Sequence, residues 1–179
     1  KTLCYAQAFT DRGRYLRKRY LLRHWRAQRN HQPVIYLDET GFAPGTHRQH
    51  GWAAKGQRVR GLQSGQQRPR TSLIGAYRQR KLIAPMLFDG TCNTEVFNEW
   101  LEHMLLPELT AGSVIVLDNA AFHTSKRTQE LVEQVGCELL FLAPYSPDLN
   151  PIEKLWANLK RRWRERGGSL DELIRESDY

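Results

Sequence analysis

The sequence predicts an α/β fold, a mixed sheet with helices on both of its faces. Three observations carry that expectation. Short runs of apolar β-formers alternate with segments of helical periodicity. The early strands are joined by hairpins, the later ones by helix-length crossovers, so antiparallel pairing should give way to parallel pairing. A strongly amphipathic helix lies mid-chain, where Val96, Phe97, Trp100, Leu101, Met104 and Leu105 recur at i, i+3, i+4 and i+7.

Taken in order, residues 5–29 are rich in Arg, Leu, Ala and Gln, with Tyr15, Leu16, Tyr20, Leu21 and Trp25 near i, i+4 spacing. They predict a helix from about Gly13 to Gln28, with Gly13 interrupting an early turn. Pro33 opens VIYLDETGF, read as a four-residue strand, Val34 to Leu37, ending at two carboxylates and a glycine. Residues 43–70 are rich in Gly, Gln and Arg and read as a long hairpin region with a weak strand around Gln57–Gly61. Trp52 is its lone large aromatic and a candidate contact to DNA or a second subunit. TSLIGAYRQRKLIAPMLFDG follows as two strands about a tight turn at Arg78–Lys81. The amphipathic helix then runs from Asn93 to Leu106, stopped by Pro107.

GSVIVLDNA repeats the earlier grammar of four apolar β-formers followed by an aspartate. Thr124 or Ser125 can cap a helix with the apolar face Leu131, Val132 and Val135, closed by Gly136. CELLFL is the next strand and APYSPDLNP a stiff loop. The last long helix begins at Pro151 with Asn150 as cap, buries Ile152, Leu155, Trp156, Leu159 and Trp163, and ends at Gly167 and Gly168. A short helix is expected from Ser169. A ribonuclease-H-like architecture has this order of elements. Residues 1–32 read as a basic helical arm and 33–179 as the domain itself.

The 179 residues suit one domain with a real core, and 40% hydrophobic with 26% charged residues is a globular composition. No apolar run reaches the roughly 20 residues of a membrane helix, and no signal-peptide pattern opens the chain, so a cytoplasmic setting is expected. With lysine as the first residue, a piece of a longer protein is expected. Cys4, Cys92 and Cys137 lack metal-ligand spacing and read as reduced thiols. The net charge of +8 favours a polyanionic partner, and its distribution says more. Residues 1–32 hold nine Lys and Arg against Asp11 alone, and residues 33–72 hold six against two acids. Residues 73–150 reverse the balance, five against ten. Basic segments thus flank an acidic centre, which suits backbone-binding surfaces around a metal site.

Asp38 and Asp118 each follow four apolar β-formers, and a carboxylate leaving a sheet at its C-terminal edge faces a crevice. Glu153, at the start of the helix after the next strand, can reach the same crevice. Hard divalent ions take carboxylate oxygens, and two of them can stabilise both oxygens of a phosphodiester displacement. Each acid also has a structural reading. Asp38 and Asp118 could serve as turn residues, and Asn150-Pro151-Ile152-Glu153 has the form of a capping box. Three acids in these topological places are harder to explain as turns and caps.

VIYLDETGF, VIVLDNAAFH and LAPYSPDLNPIEKLWANLK closely resemble the catalytic domain of bacterial insertion-sequence transposases, in the superfamily shared with mariner elements. The resemblance runs from about Lys1 to Arg164 and includes GWAAKGQR and TCNTEVFNEWLEHMLLPEL. It implies a ribonuclease-H-like fold and an Asp-Asp-Glu triad of Asp38, Asp118 and Glu153 that holds two Mg²⁺ or Mn²⁺ ions. The 34 residues between Asp118 and Glu153 match the spacing of the glutamate-bearing branch. The resemblance further implies cleavage of transposon ends, transfer of the 3′ hydroxyl into target DNA at TA, a homodimer in the active complex, and work on the bacterial nucleoid. A helix-turn-helix module is expected in the full protein, N-terminal to this segment.

Around the triad, Glu39 should point away from Asp38 by strand alternation and serve a turn or support the metal ligands. Asn119 and His123 are expected to position water or DNA or to support the metal ligands from outside, with a helix-start role as the alternative for His123. Tyr145, Ser146 and Asn150 are backbone-contact candidates or parts of a rigid loop, and Trp100, Trp156 and Trp163 read as core. Candidate DNA contacts are Arg48, Lys55, Arg58, Arg60, Arg68, Arg70 and Lys160, joined on the N-terminal helix by Arg14, Arg17, Lys18, Arg19, Arg23 and Arg26. Three other readings compete. A phosphatase of the haloacid-dehalogenase type needs a second Asp where Thr40 stands; the others are a simple nuclease of the same fold and a non-catalytic relic.

Overall fold

The computed structural model describes residues 5–43, 54–58, 70–166 and 169–176. Five strands form one sheet in the order β3-β2-β1-β4-β5, where β1 is Val34–Phe42, β2 Thr71–Arg78, β3 Lys81–Asp89, β4 Val114–Leu117 and β5 Glu138–Phe141. β1–β2 and β2–β3 are antiparallel, while β1–β4 and β4–β5 are parallel. The helices are α1 Asp11–Arg29, α2 Thr94–Trp100, α3 Lys126–Gln134, α4 Ile152–Arg166 and α5 Leu170–Arg175.

Strand alternation sends successive β1 side chains to opposite faces. Ile35 and Leu37 join Ile115, Leu117, Phe97, Trp100, Leu131 and Val132 in one cluster, beneath α2 and α3. On the opposite face Val34, Val114, Val116 and Leu140 pack with Tyr20 and Ala27 of α1. Further along that face, Phe42 and Leu73 meet Ile152, Trp156 and Leu159 of α4. Helices therefore cover both faces, as the fold class anticipates.

The observed elements correct several expectations. β1 does not end at Leu37; β2 pairs with it as far as Phe42, so Asp38 and Glu39 lie within the strand. β4 accompanies β1 only from Val34 to Tyr36, which leaves the β4-side edge of β1 open beyond that point. Gly13 sits inside α1. A Cβ there would lie 2.5 Å from the Gln7 carbonyl oxygen, so the close approach of the Ala6–Phe9 turn requires glycine. The mid-chain helix is α only to Trp100, then widens to a π-turn over Leu101–Leu105 and tightens over Leu106–Glu108 around Pro107. Gln57 and Arg58 are not in a strand, and the rest of the expected Gln57–Gly61 strand, like Trp52 and Cys4, lies outside the described residues. The Arg78–Lys81 turn is as expected; Gln79 and Arg80 have φ of 50° and 69°, the hand of a primed hairpin turn.

α1 is fastened to the domain by more than its apolar side. Arg17 makes a bidentate pair with Asp148 at 2.9 and 2.7 Å, and Arg23 pairs with Glu138. Two of the arginines expected to bind DNA thus have carboxylate partners within the protein.

The central strands tolerate no loss of volume. Ile115 is fully buried, and Ile115→Ala should lower unfolding free energy by about 2–5 kcal/mol, read from urea denaturation. A change below about 1 kcal/mol would place β4 outside the core.

Candidate active site

The end of β4 beside the longer β1 creates a crevice. Asp118 follows the last residue of β4, and Asp38 sits on β1 just past the point where β4 leaves it. Glu153 lies in the first turn of α4. All three line one cleft of about 470 Å³, with Asn119, Ala120, Tyr145, Ser146 and Asn150 among its other walls. The structure therefore brings the three sequence-predicted acids to one place.

Their electrostatics agree with that placement. Burial pushes the Asp38 carboxyl up to about 7, reinforced by the negative charges of Glu153, Glu39 and Asp118, against a backbone hydrogen bond from Glu39. A group so placed would be relieved by a cation, and an all-carboxylate donor set suits a hard divalent ion. The acids line the cleft without closing on one point: among the described residues, no three His, Cys, Asp or Glu side chains are gathered tightly enough to hold a metal ion.

Asp118 is held by His123. The His123 ring is 1% exposed, with Nδ1 2.8 Å from Asp118 Oδ1 and Nε2 2.9 Å from Glu39 Oε1. Carboxylates only accept, so two such partners require protons on both ring nitrogens. Burial lowers the affinity of His123 for its second proton, but hydrogen bonds to Asp118 and Glu39, together with their charges, outweigh it and lift the pKa to about 9. Asp118 is correspondingly lowered, first by the His123 hydrogen bond, then against burial by one from the Ala120 N–H. Glu39 does point to the face opposite Asp38, as alternation requires, and it reaches Asp118 only through His123. The helix-start alternative for His123 is replaced by this two-carboxylate clasp, closed by the rings of Phe97 and Phe122 at 4.5 and 4.3 Å.

The capping-box reading of Glu153 does not hold. The Asn150 side chain donates instead to the Leu37 carbonyl at 3.1 Å, its Oδ1 is buried without a partner, and only its backbone carbonyl accepts from the Glu153 N–H. Asn150 thereby ties β1 next to Asp38 to the start of α4, and Glu153 is exposed to the cleft. Asn119 donates to the Leu142 carbonyl at 2.7 Å, fastening the Asp118 loop to the end of β5. Ser146 is buried on the Pro144 carbonyl, whereas Tyr145, at φ 57°, holds its ring out at the cleft rim.

Sequence reasoning missed one residue here. Trp156, assigned to the core, is buried, and its indole N–H also donates to Asp38 Oδ2 at 3.1 Å. The signal was present, since a buried indole N–H needs an acceptor and Trp156 lies one helical turn beyond Glu153. Of the expected DNA contacts, Lys55, Arg58 and Arg70 are exposed, Lys160 is partly buried on α4, and Arg48, Arg60 and Arg68 lie outside the described residues. Cys92 and Cys137 are free thiols, and burial raises both.

The His123 clasp has a pH signature. A raised folded-state pKa contributes stability that is full below the unfolded value near 6.5 and lost as pH rises through about 9. In chelator, the protein should therefore lose on the order of 2–3 kcal/mol between pH 6.5 and 9 from this group. Thermal melts of His123→Asn should be flatter over that window; equal slopes would remove the clasp from the stability of the fold.

Comparison with known proteins places this cleft in context. A family model described as DDE superfamily endonuclease matches residues 33–174, which include all three acids. The chain is 33% identical over 92 residues to the uncharacterized protein y4pE/y4sA of Sinorhizobium fredii, covering 51% of this chain and 66% of that one. It is 36% identical over 80 residues to the Tcb2 transposase of Caenorhabditis briggsae, covering 42% of this chain and 29% of that one. Among solved structures, the mariner Mos1 paired-end complex with Mg superposes with a TM-score of 0.74 at 20% identity, over 98% of this chain and 56% of that one. The Mos1 catalytic domain alone superposes at 0.57 and 15% identity, over 98% and 89%. The fold is thus that of the Mos1 catalytic domain, ribonuclease-H-like, and the chain spans less than a third of the Tcb2 transposase and about half of the Mos1 chain in the Mg complex. On the family match across most of its length, this chain belongs to the DDE superfamily endonucleases.

Proposed function

We propose that this chain is the catalytic domain of a DNA transposase, cutting transposon-end phosphodiesters and joining the freed 3′ hydroxyl to target DNA. The observation that carries the reading is the convergence of Asp38, Asp118 and Glu153 on one cleft within a DDE-family fold. Relatives lend support: the Tcb2 protein is named a transposase, and Mos1 structures are described as a paired-end complex with a left transposon end and as a strand transfer complex. Mos1 has been solved with Mg and with Mn.

Three carboxylates are donors of the kind that Mg²⁺ or Mn²⁺ takes, and two such ions would stabilise the attacking and leaving oxygens of a phosphodiester displacement. Asp38, central on β1, would serve both ions, Asp118 one and Glu153 the other. Asp118 Oδ1 is already occupied by His123 and the Ala120 N–H, which leaves Oδ2 for ligation. Glu39 and His123 hold that orientation, and Asn119 and Asn150 fix the loops on either side. In the first step water breaks the strand at the transposon end, leaving a 3′ hydroxyl. In the second that hydroxyl attacks a target phosphodiester and expels a target 3′ oxygen, so no protein nucleophile is needed. The family expectation of a TA target and of a homodimeric active complex belongs to this proposal, as does action on the bacterial nucleoid. No helix among the described residues is long and apolar enough to cross a membrane.

Two outcomes test the reading in the full protein. Asp118→Asn should reduce cleavage of a transposon-end duplex by about two orders of magnitude or more, several kcal/mol of transition-state stabilisation. DNA affinity should hold or rise, and the fold should survive with some loss of melting temperature, because an amide oxygen can still accept from Ala120 and His123 but carries no charge to pair with the imidazolium. Unchanged cleavage sinks the triad. Neutralising Lys55, Arg58 and Arg70 together should flatten the dependence of log affinity on log salt, by about one unit for each phosphate that these side chains neutralise. An unchanged slope means that DNA approaches from another side.

A further inference from the structure

Behind the cleft, Asp38 is gripped from α4. An aspartate's terminal torsion is soft, with a broad range of rotations, so a carboxylate left alone swings. The Trp156 Nε1–H on Asp38 Oδ2 at 3.1 Å removes that freedom. Trp156 is 2% exposed and belongs to the cluster of Phe42, Leu73, Leu82, Ile152 and Leu159, so the indole is itself immobile. It also sits three residues after Glu153, so one rigid helical turn carries both the third acid and the donor that holds the first.

Gly75 of β2 is the cross-strand partner of Asp38 and lies at the irregularity between Ile74 and Ala76 in the pairing with β3. A Cβ at Gly75 would stand 2.8 Å from Leu82 Cδ1 and 3.4 Å from Trp156 Cη2. The first distance is an overlap with the flexible end of Leu82 and the second an ordinary van der Waals contact, so the indole lies directly against this glycine.

We infer that Trp156 is a positioning residue for the metal site: its N–H sets the rotation of the Asp38 carboxylate and its helix sets the spacing from Asp38 to Glu153. This rests on the proposed ligand role of the three acids. A tryptophan present only for packing would work equally well without its N–H. Here the N–H is what matters.

The test uses the metal-free protein and Mn²⁺ as the probe, with free Mn²⁺ counted by its paramagnetic resonance. Benzothienylalanine, placed at position 156 alone, keeps the bicyclic shape and replaces N–H by sulfur. That variant and Trp156→Phe should bind Mn²⁺ about tenfold more weakly, the usual scale for removing a ligand's supporting partner. The benzothienyl variant should melt close to the unmodified protein. Asp118→Asn, titrated alongside, separates the two readings. If it loses affinity while the benzothienyl variant stays within about twofold of the unmodified protein, the role of Trp156 is overturned and the metal site stands. If Asp118→Asn also binds Mn²⁺ unchanged, the metal site falls and the inference falls with it.

Discussion

The short parallel pairing of β1 with β4, three residues long from Val34 to Tyr36, is the constraint on which the rest depends. β2 continues beside β1 to Phe42, but β4 stops at Leu117, and the chain there turns away toward α3. One edge of β1 is therefore left open where Asp38 stands, and Asp118 emerges at its side. A β4 paired further along β1 would fill the crevice with backbone. The pairing is held by apolar side chains on both faces, Ile35, Leu37, Ile115 and Leu117 on one and Val34, Val114 and Val116 on the other.

Alternation along β1 then divides two adjacent acids between two tasks. Asp38 faces α4 and its indole, and Glu39 faces the α2 and α3 layer, where His123 waits. A single DE dipeptide thus reaches Asp118 and Glu153 from both sides of the sheet. Without counter-charge, this concentration of carboxylates would oppose folding. The imidazolium of His123 offsets two of them, the indole N–H supports a third, and the raised affinity of Asp38 for its proton records the repulsion that remains. Two of the basic residues of α1 have other partners. Arg17 and Arg23 are instead spent on fastening α1, which gives that basic helix a structural part that charge counting cannot see.

Much of this was legible in the sequence because it rests on local pattern. Four apolar β-formers before an aspartate appear twice, and the period of the α4 stripe named its buried residues. The position of Glu39 on the far face followed from alternation alone. What escaped depended on partners distant in the chain. The extension of β1 to Phe42 is imposed by β2 through residues that look like a turn, Glu39-Thr40-Gly41. Asn150 has the position and type of a helix cap, yet a carbonyl 113 residues away claims its side chain. The Trp156 contact to Asp38 spans 118 residues and is hidden inside an ordinary apolar stripe. The widening of the mid-chain helix at Leu101–Leu105 has no sequence signal that periodicity could register, since the same residues face the core either way.

The central claim is that Asp38, Asp118 and Glu153 hold divalent ions between them, and crystals soaked in Mn²⁺ test it most directly. Anomalous difference density should show two peaks in the cleft bounded by these carboxylates, roughly 3.5–4 Å apart, with Asp38 touching both. Density elsewhere on the protein, or none in the cleft at saturating Mn²⁺, would contradict the account.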